Sequence, residues 1–225
     1  VLNSPSNPTG VTYSRADLKA LGEVLKNHPQ IIIASDDMYE HIVWSEEPFC
    51  TSAQVCPELY FQTVTMNGVS KAYSMTGWRI GYAAGPQELI SAMTKIQSQS
   101  TSNPCSISQA ATIEALNGDQ SCIQTMLAAF KQRHDYVVET LNGIPGVIAL
   151  PSQGAFYSFP DMLQLIDQLD GIENDVELAD YILSEAEVAL VPGSAFGAPG
   201  YMRLSFATSM DNLQEALERL QRLFA

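Results

Sequence analysis

Six residues of this chain have types and settings suited to chemistry. Lys71 stands eight positions ahead of Arg79 in the run Ser70-Lys71-Ala72-Tyr73-Ser74-Met75-Thr76-Gly77-Trp78-Arg79-Ile80-Gly81-Tyr82. A lysine amine, with an unperturbed pKa of about 10.4, acts as a nucleophile only when its surroundings activate it. Arginine carries a planar fork of donors that matches phosphate or carboxylate oxygens in pairs, so Arg79, and Arg203 in Tyr201-Met202-Arg203-Leu204-Ser205, are candidate anion ligands. Asp36 follows the β-branched run Ile31, Ile32, Ile33, a pattern that reads as a buried strand with a carboxylate at its tip. Tyr39 comes three residues later, and Asn7 lies in the loop Ser4-Pro5-Ser6-Asn7-Pro8-Thr9-Gly10. Taken singly, each has an ordinary structural reading. Lysine is by default solvated, a strand-end aspartate caps or turns, tyrosine fills cores, and arginine stems cover apolar neighbours.

Composition narrows the field of functions. The 225 residues are 46% hydrophobic, enough for a sizeable core in one large or two small domains. With 25 acidic against 11 basic residues the formal charge is −14, which disfavours nucleic-acid binding and makes arginines within apolar stretches informative. The four cysteines, Cys50, Cys56, Cys105 and Cys122, lack C-x-x-C spacing, and His28, His41 and His134 are far from them and from one another. Reduced thiols and no metal site are therefore expected. No run approaches the roughly 18 apolar residues of a membrane span, and residues 1–10 lack the order of a signal peptide. The expectation is a soluble, cytoplasmic protein.

The elements that must hold the six residues come next. The first third alternates short apolar runs with helical periodicity, the pattern of βαβ units on a largely parallel sheet. Ser14 and Asp17 form a helix start, after which Leu18, Leu21 and Leu25 recur at helical spacing. Strands are predicted at residues 31–33, 61–66 and 79–84, with Asn67-Gly68 as a turn. Helices are predicted over 87–117, broken at Asn103-Pro104, and over 121–142. Beyond Gly143 short strands at 147–150, 155–159, 189–191 and 202–206 mix with two amphipathic helices, the last carrying Leu213, Leu217, Leu220 and Phe224 on one face. This change of pattern places a domain boundary near residue 120, giving domains 1–120 and 121–225.

Read together and in order, the Asn7 loop, the segment Ser35-Asp36-Asp37-Met38-Tyr39-Glu40, the Lys71 to Arg79 run and the Arg203 segment resemble the class I and II aminotransferases of fold type I, which use pyridoxal phosphate (PLP). The likeness extends from the first residue to the last helix. It implies an α/β fold: part of a mostly parallel large-domain sheet, followed by a small α+β carboxy-terminal domain. Lys71 would form the Schiff base with PLP and serve as catalytic acid and base. Asp36 would pair with the pyridinium nitrogen, Asn7 and Tyr39 would bind the phenolic oxygen, Arg79 the phosphate, and Arg203 the substrate α-carboxylate.

The implied activity is a ping-pong transfer between an L-amino acid and a 2-oxo acid in a homodimer. The wording Ser98-Gln99-Ser100-Thr101-Ser102-Asn103-Pro104 resembles the bacterial branch of aspartate aminotransferases, which points to aspartate and 2-oxoglutarate. An aromatic or prephenate aminotransferase, a β-lyase of the same fold, and an effector domain of a transcription regulator remain open alternatives. Two departures stand out. Gly68 occupies a position where some relatives have a phosphate-binding serine. The usual amino-terminal part, with its phosphate-binding turn and stacking aromatic, is not found ahead of the Asn7 loop, so the chain is expected to be a fragment with little activity alone.

Overall fold

The structure, a computed structural model, describes all residues from Val1 to Ala225. The chain divides into two compact units, Val1–Pro5 with Thr12–Leu127, and Ser6–Val11 with Ala128–Ala225. The carboxy-terminal division falls within one long helix, and the loop that carries Asn7 clusters with the second unit.

The first unit is built on β1 (Leu2–Asn3), α1 (Arg15–Leu25), β2 (Ile33–Asp36), α2 (Ser52–Val55), β3 (Thr63–Gly68) and β4 (Gly81–Ala84). It also contains α3 (Gln87–Ser100), α4 (Ser106–Asn117) and the start of α5 (Ser121–Asn142). α1 begins as its sequence dictates. The Ser14 hydroxyl accepts from the Asp17 N–H while the Asp17 carboxylate accepts from the Ser14 N–H, a reciprocal cap that satisfies two orphan donors. The sheet has the order β1-β2-β3-β4, with the first two pairs parallel and β3–β4 antiparallel. Ile33, Cys56 and Leu59 form a buried cluster with Leu2, Leu25 and Val55 against it. Gly22 lets α1 approach closely, since a Cβ there would stand 2.4 Å from the Cys56 Sγ.

Several strands differ from the sequence reading. β2 starts at Ile33, and Ile31 and Ile32 are 40% and 54% exposed, because Ile31 donates back to the His28 carbonyl in a turn before the ladder begins. Asp36 is thus the last paired residue of the strand. Phe61 lies in a 3-10 turn over Pro57–Gln62 and is 84% exposed. Asn67-Gly68 is no turn but the end of β3, paired with Tyr82 and Gly81. β4 begins only at Gly81, since Arg79 terminates a second 3-10 turn, Thr76–Trp78. The helical break at Asn103-Pro104 separates α3 from α4 as expected.

The second unit contains the rest of α5, then β5 (Tyr157–Ser158), α6 (Leu163–Gln168), α7 (Asp175–Ala186), β6 (Val191–Pro192), β7 (Met202–Ser205) and α8 (Met210–Leu223). Its three strands are antiparallel in the order β5-β7-β6. Residues 147–150 contribute one isolated bridge, Ile148 to Asp161, rather than a strand, and three helices rather than two follow α5. α7 and α8 contact each other and bury Leu178, Ile182, Leu213, Leu217 and Leu220.

Asp175 is the buried polar anchor of this unit. At the first turn of α7 its carboxylate accepts from the Ser194 N–H at 2.7 Å and from the Ser194 hydroxyl at 2.7 Å. Burial works to raise its pKa, but the Ser194 backbone and side-chain hydrogen bonds prevail and hold the carboxyl below its usual range. A folded pKa below the unfolded value stabilises the fold at higher pH, and this contribution fades as pH falls through the folded pKa. Asp175→Asn is therefore expected to lose about 1.5 to 3 kcal/mol at neutral pH, the range for hydrogen bonds to a charged group. Its melting temperature should also fall less steeply than wild type from pH 5 to pH 3, and parallel curves in thermal melts would refute this role.

Candidate active site

In the first unit, sheet register places Asp36. It pairs with Asn3 on one side and Met66 on the other, at the carboxyl end of the parallel strands. Its carbonyl accepts from the Asn3 side chain at 3.2 Å, and its Oδ1 accepts from the Met38 N–H at 3.3 Å. The next residue, Asp37, turns inward and is buried, its Oδ1 accepting from the Ser35 hydroxyl at 2.8 Å and its N–H donating to the Met66 carbonyl at 2.9 Å. Burial pushes the Asp37 carboxyl above its usual pKa. The two adjacent aspartates therefore differ: Asp37 anchors the strand end, and Asp36 stays half-buried at its edge.

The chain then turns, with Glu40 donating to the Asp37 carbonyl and Ile42 to that of Tyr39. Tyr39 is buried, and the Lys71 Nζ lies 5.8 Å from its ring centroid. Lys71 sits in the turn that follows β3, held between Val69 and Ala72, both buried. Its carbonyl accepts from the Ser74 N–H. The structure thus brings Lys71 and Tyr39 together and puts Asp36 at the strand end that leads into the Tyr39 turn.

Arg79 belongs to the same unit but stands apart in character. It has a left-handed backbone with φ of 56°, uncommon for a residue with a Cβ, and is exposed, its Nη1 donating to the Thr76 carbonyl at 3.0 Å. Gly68 is a matter of space. A Cβ there would meet the Ile80 carbonyl oxygen at 2.8 Å and the Gly81 Cα at 3.2 Å, both backbone atoms.

In the second unit, Arg203 of β7 and Asn7 meet directly. The Arg203 Nη1 donates to the Asn7 Oδ1 at 2.9 Å. The guanidinium carbon lies 4.8 Å from the Tyr157 ring centroid and 5.0 Å from that of Phe196, so the cation has an aromatic ring from each. Its Nε is buried without a hydrogen-bond partner. Tyr157 and Phe196, with Ser194 and Asp175 bracing the 3-10 turn Gly193–Phe196, were not legible in the sequence; only the paired Gly193 and Gly197 hinted at a tight turn.

Residues 1–220 match the family described as aminotransferase class I and II. The aspartate/prephenate aminotransferase of Nitrosomonas europaea is 55% identical over 230 aligned positions, which take in 100% of this chain and 58% of that protein. The crystal structure of the aspartate aminotransferase of Rhizobium meliloti superposes with a TM-score of 0.94 at 50% identity, covering 98% of this chain and 56% of that one. An aromatic aminotransferase from Pyrococcus horikoshii is similar at 34% identity, with a TM-score of 0.91 over 99% of this chain and 58% of that chain. The chain therefore spans a little over half the length of these relatives.

The packing at Gly68 generates a test. Gly68→Ser adds a hydroxyl where some relatives are expected to use one, yet its Cβ collides with fixed backbone. The substitution is expected to destabilise the protein by about 1 to 3 kcal/mol, the cost of overpacking, without tightening phosphate or PLP binding. Denaturant unfolding and a PLP titration check this, and tighter PLP binding at unchanged stability would show that the strand yields.

Proposed function

Because this chain belongs to the class I and II aminotransferases, we propose that the protein it forms transfers the amino group of L-aspartate to 2-oxoglutarate by a ping-pong reaction, with PLP as cofactor. Two observations support the reading, each within its own unit: Arg203 paired with Asn7 and flanked by two aromatic rings, and Lys71 over the Tyr39 ring. Prephenate as an alternative amino acceptor is the second reading, favoured by the description of the Nitrosomonas europaea relative as an aspartate/prephenate aminotransferase. A homodimer in a cytoplasmic setting, with the amino acid and 2-oxo acid as its small-molecule partners, is part of the same proposal.

The donor set suits PLP. The first unit offers an amine for the aldehyde (Lys71), a carboxylate for the ring nitrogen (Asp36), a phenol for the phenolic oxygen (Tyr39) and a guanidinium for the phosphate (Arg79). Gly68 adds no hydroxyl, so the phosphate relies on Arg79 among these side chains. When bound, PLP supplies an electron sink for the pair released at the substrate Cα.

The residues of the chain do the rest. The Lys71 amine would hold PLP and, when free, would serve as base and then acid for the proton at the substrate Cα. Asp36 would pair with the ring nitrogen and favour its protonated form. Asn7 donates from its amide nitrogen, because its oxygen already accepts from Arg203. Arg203 fixes the α-carboxylate and so orients the Cα–H bond for cleavage. The Tyr157 and Phe196 rings lie against its guanidinium and favour the cation there.

Oxaloacetate formation from aspartate, measured with and without 2-oxoglutarate, tests the reading. Turnover should require the acceptor, whereas release of ammonia without one would mark a lyase. Lys71→Ala is expected to abolish both turnover and the covalent cofactor mass that borohydride fixes on the protein; retention of that mass would sink the assignment. Arg203→Ala is expected to reduce kcat/KM by about 1.5 to 3 kcal/mol, the range for a hydrogen bond to a charged group. Its PLP affinity should change little, and loss of PLP with amino-acid binding intact would overturn the role.

A further inference from the structure

A closed circuit of contacts in the second unit runs from Arg203 back to its own strand, and it passes through a buried histidine to which the reaction gives no role. His134 of α5 is 3% exposed. Its Nε2 accepts from the Ser152 N–H at 2.9 Å, and its Nδ1 lies 2.9 Å from the Asp135 Oδ1. With Nε2 accepting, the ring proton lies on Nδ1, toward the carboxylate. The Asp135 carboxylate is in turn held by Lys131, with 2.7 Å between the Lys131 Nζ and Oδ1.

Ser152 opens a turn whose next two amides converge on one oxygen. The Gln153 and Gly154 N–H groups both donate to the Gly10 carbonyl, at 3.1 and 3.0 Å. Gly10 has a φ of +68°, and a Cβ on it would stand 2.6 Å from the Gly154 oxygen and 2.7 Å from the Ser152 Cβ, so loop and turn are flush. The same loop closes on itself, with the Gly10 N–H donating to the Ser6 carbonyl at 2.7 Å and the Ser6 N–H to the Val11 carbonyl at 3.0 Å. Asn7 lies inside that closed loop and accepts from Arg203. The circuit returns to the strand through Phe206, just past β7, whose ring meets that of His134 edge-on at 6.0 Å between centroids.

We propose that His134 is a positioning residue: by holding the Ser152 amide it fixes the 152–154 turn, which fixes the Asn7 loop and thereby the orientation of the Arg203 guanidinium. The proposal rests on the reading of Arg203 as the carboxylate ligand. It needs no contact between His134 and substrate, and it assigns the histidine an acceptor role that a residue of similar bulk without one cannot fill. Removing the acceptor deprives the buried Ser152 N–H of that hydrogen bond, which is costly to lose inside a protein.

The test compares His134→Leu, which keeps bulk and loses the acceptor, with His134→Gln, whose amide oxygen restores one, in the PLP-loaded full-length protein. His134→Leu is expected to speed hydrogen exchange in peptides covering residues 6–11 and 152–154 and to raise the aspartate KM, each by about tenfold, with kcat changed much less. His134→Gln should return both close to wild type. If His134→Leu does not fold, His134→Gln and the nitrogen-15 shifts of wild-type His134 decide the matter: a protonated Nδ1 with a bare Nε2 supports the proposal, and a protonated Nε2 overturns it. Exchange that accelerates evenly over the chain with KM unchanged also overturns it, as does failure of the glutamine to rescue. Should KM stay unchanged in both Arg203→Ala and His134→Leu while local exchange still responds and is rescued, the functional reading falls and the brace stands.

Discussion

Register along the β1, β2 and β3 ladder is the constraint on which the first unit depends. Parallel strands run their carboxyl ends to one edge, and that edge is where an open α/β sheet presents chemistry. Because side chains alternate, a slip of one residue in β2 would turn Asp36 inward and Asp37 outward. The hydrogen bonds that forbid the slip are backbone ones, with Asp37 donating to the Met66 carbonyl, reinforced by the Ser35 hydroxyl on the Asp37 carboxylate. Everything downstream inherits this register: the turn that seats Tyr39, and the end of β3 from which the chain passes into the Lys71 turn.

The second unit surrounds an arginine with groups that do not neutralise it. A carboxylate partner would satisfy the guanidinium and block its use. The fold instead surrounds Arg203 with neutral groups: the Asn7 oxygen at one nitrogen and two aromatic rings. The rings favour the cation through their quadrupoles yet leave it able to bind an anion. Charge is used one layer farther away, where Asp175 locks Ser194 and with it the short turn that ends in Phe196. A buried carboxylate held by the backbone and side chain of Ser194 keeps that turn in place.

The helices of the two units sort their side chains unequally. α8 buries Leu213, Leu217 and Leu220 and turns its charged residues outward, the ordinary amphipathic arrangement. α3 buries none of its residues and carries Ile96 at 72% exposure, while α4 leaves Ile107 and Ile113 at 70% and 64%. Apolar surface of this kind marks a place where protein packs on protein.

How much of this was legible in the sequence follows from the range of each interaction. Local signals were sufficient for the Ser14 cap of α1, the break at Asn103-Pro104 and the leucine face of α8, since each depends on residues within a turn or two of one another. The six candidate residues were singled out from their order and context in the chain, which need no fold to read. Strand limits were misread where non-local pairing decided them: Ile31 and Ile32 are good strand formers left outside the ladder, and Asn67-Gly68, a turn pair by local preference, is held in β3 by its partners in β4. The sequence by itself determined the family, the residue types at the candidate site and the helices that local periodicity encodes. Only the tertiary structure decided that Tyr157 and Phe196 flank Arg203, and that His134 reaches Gly10 through the 152–154 turn, because those contacts join residues whose spacing along the chain carries no periodicity and whose meeting depends on packing alone.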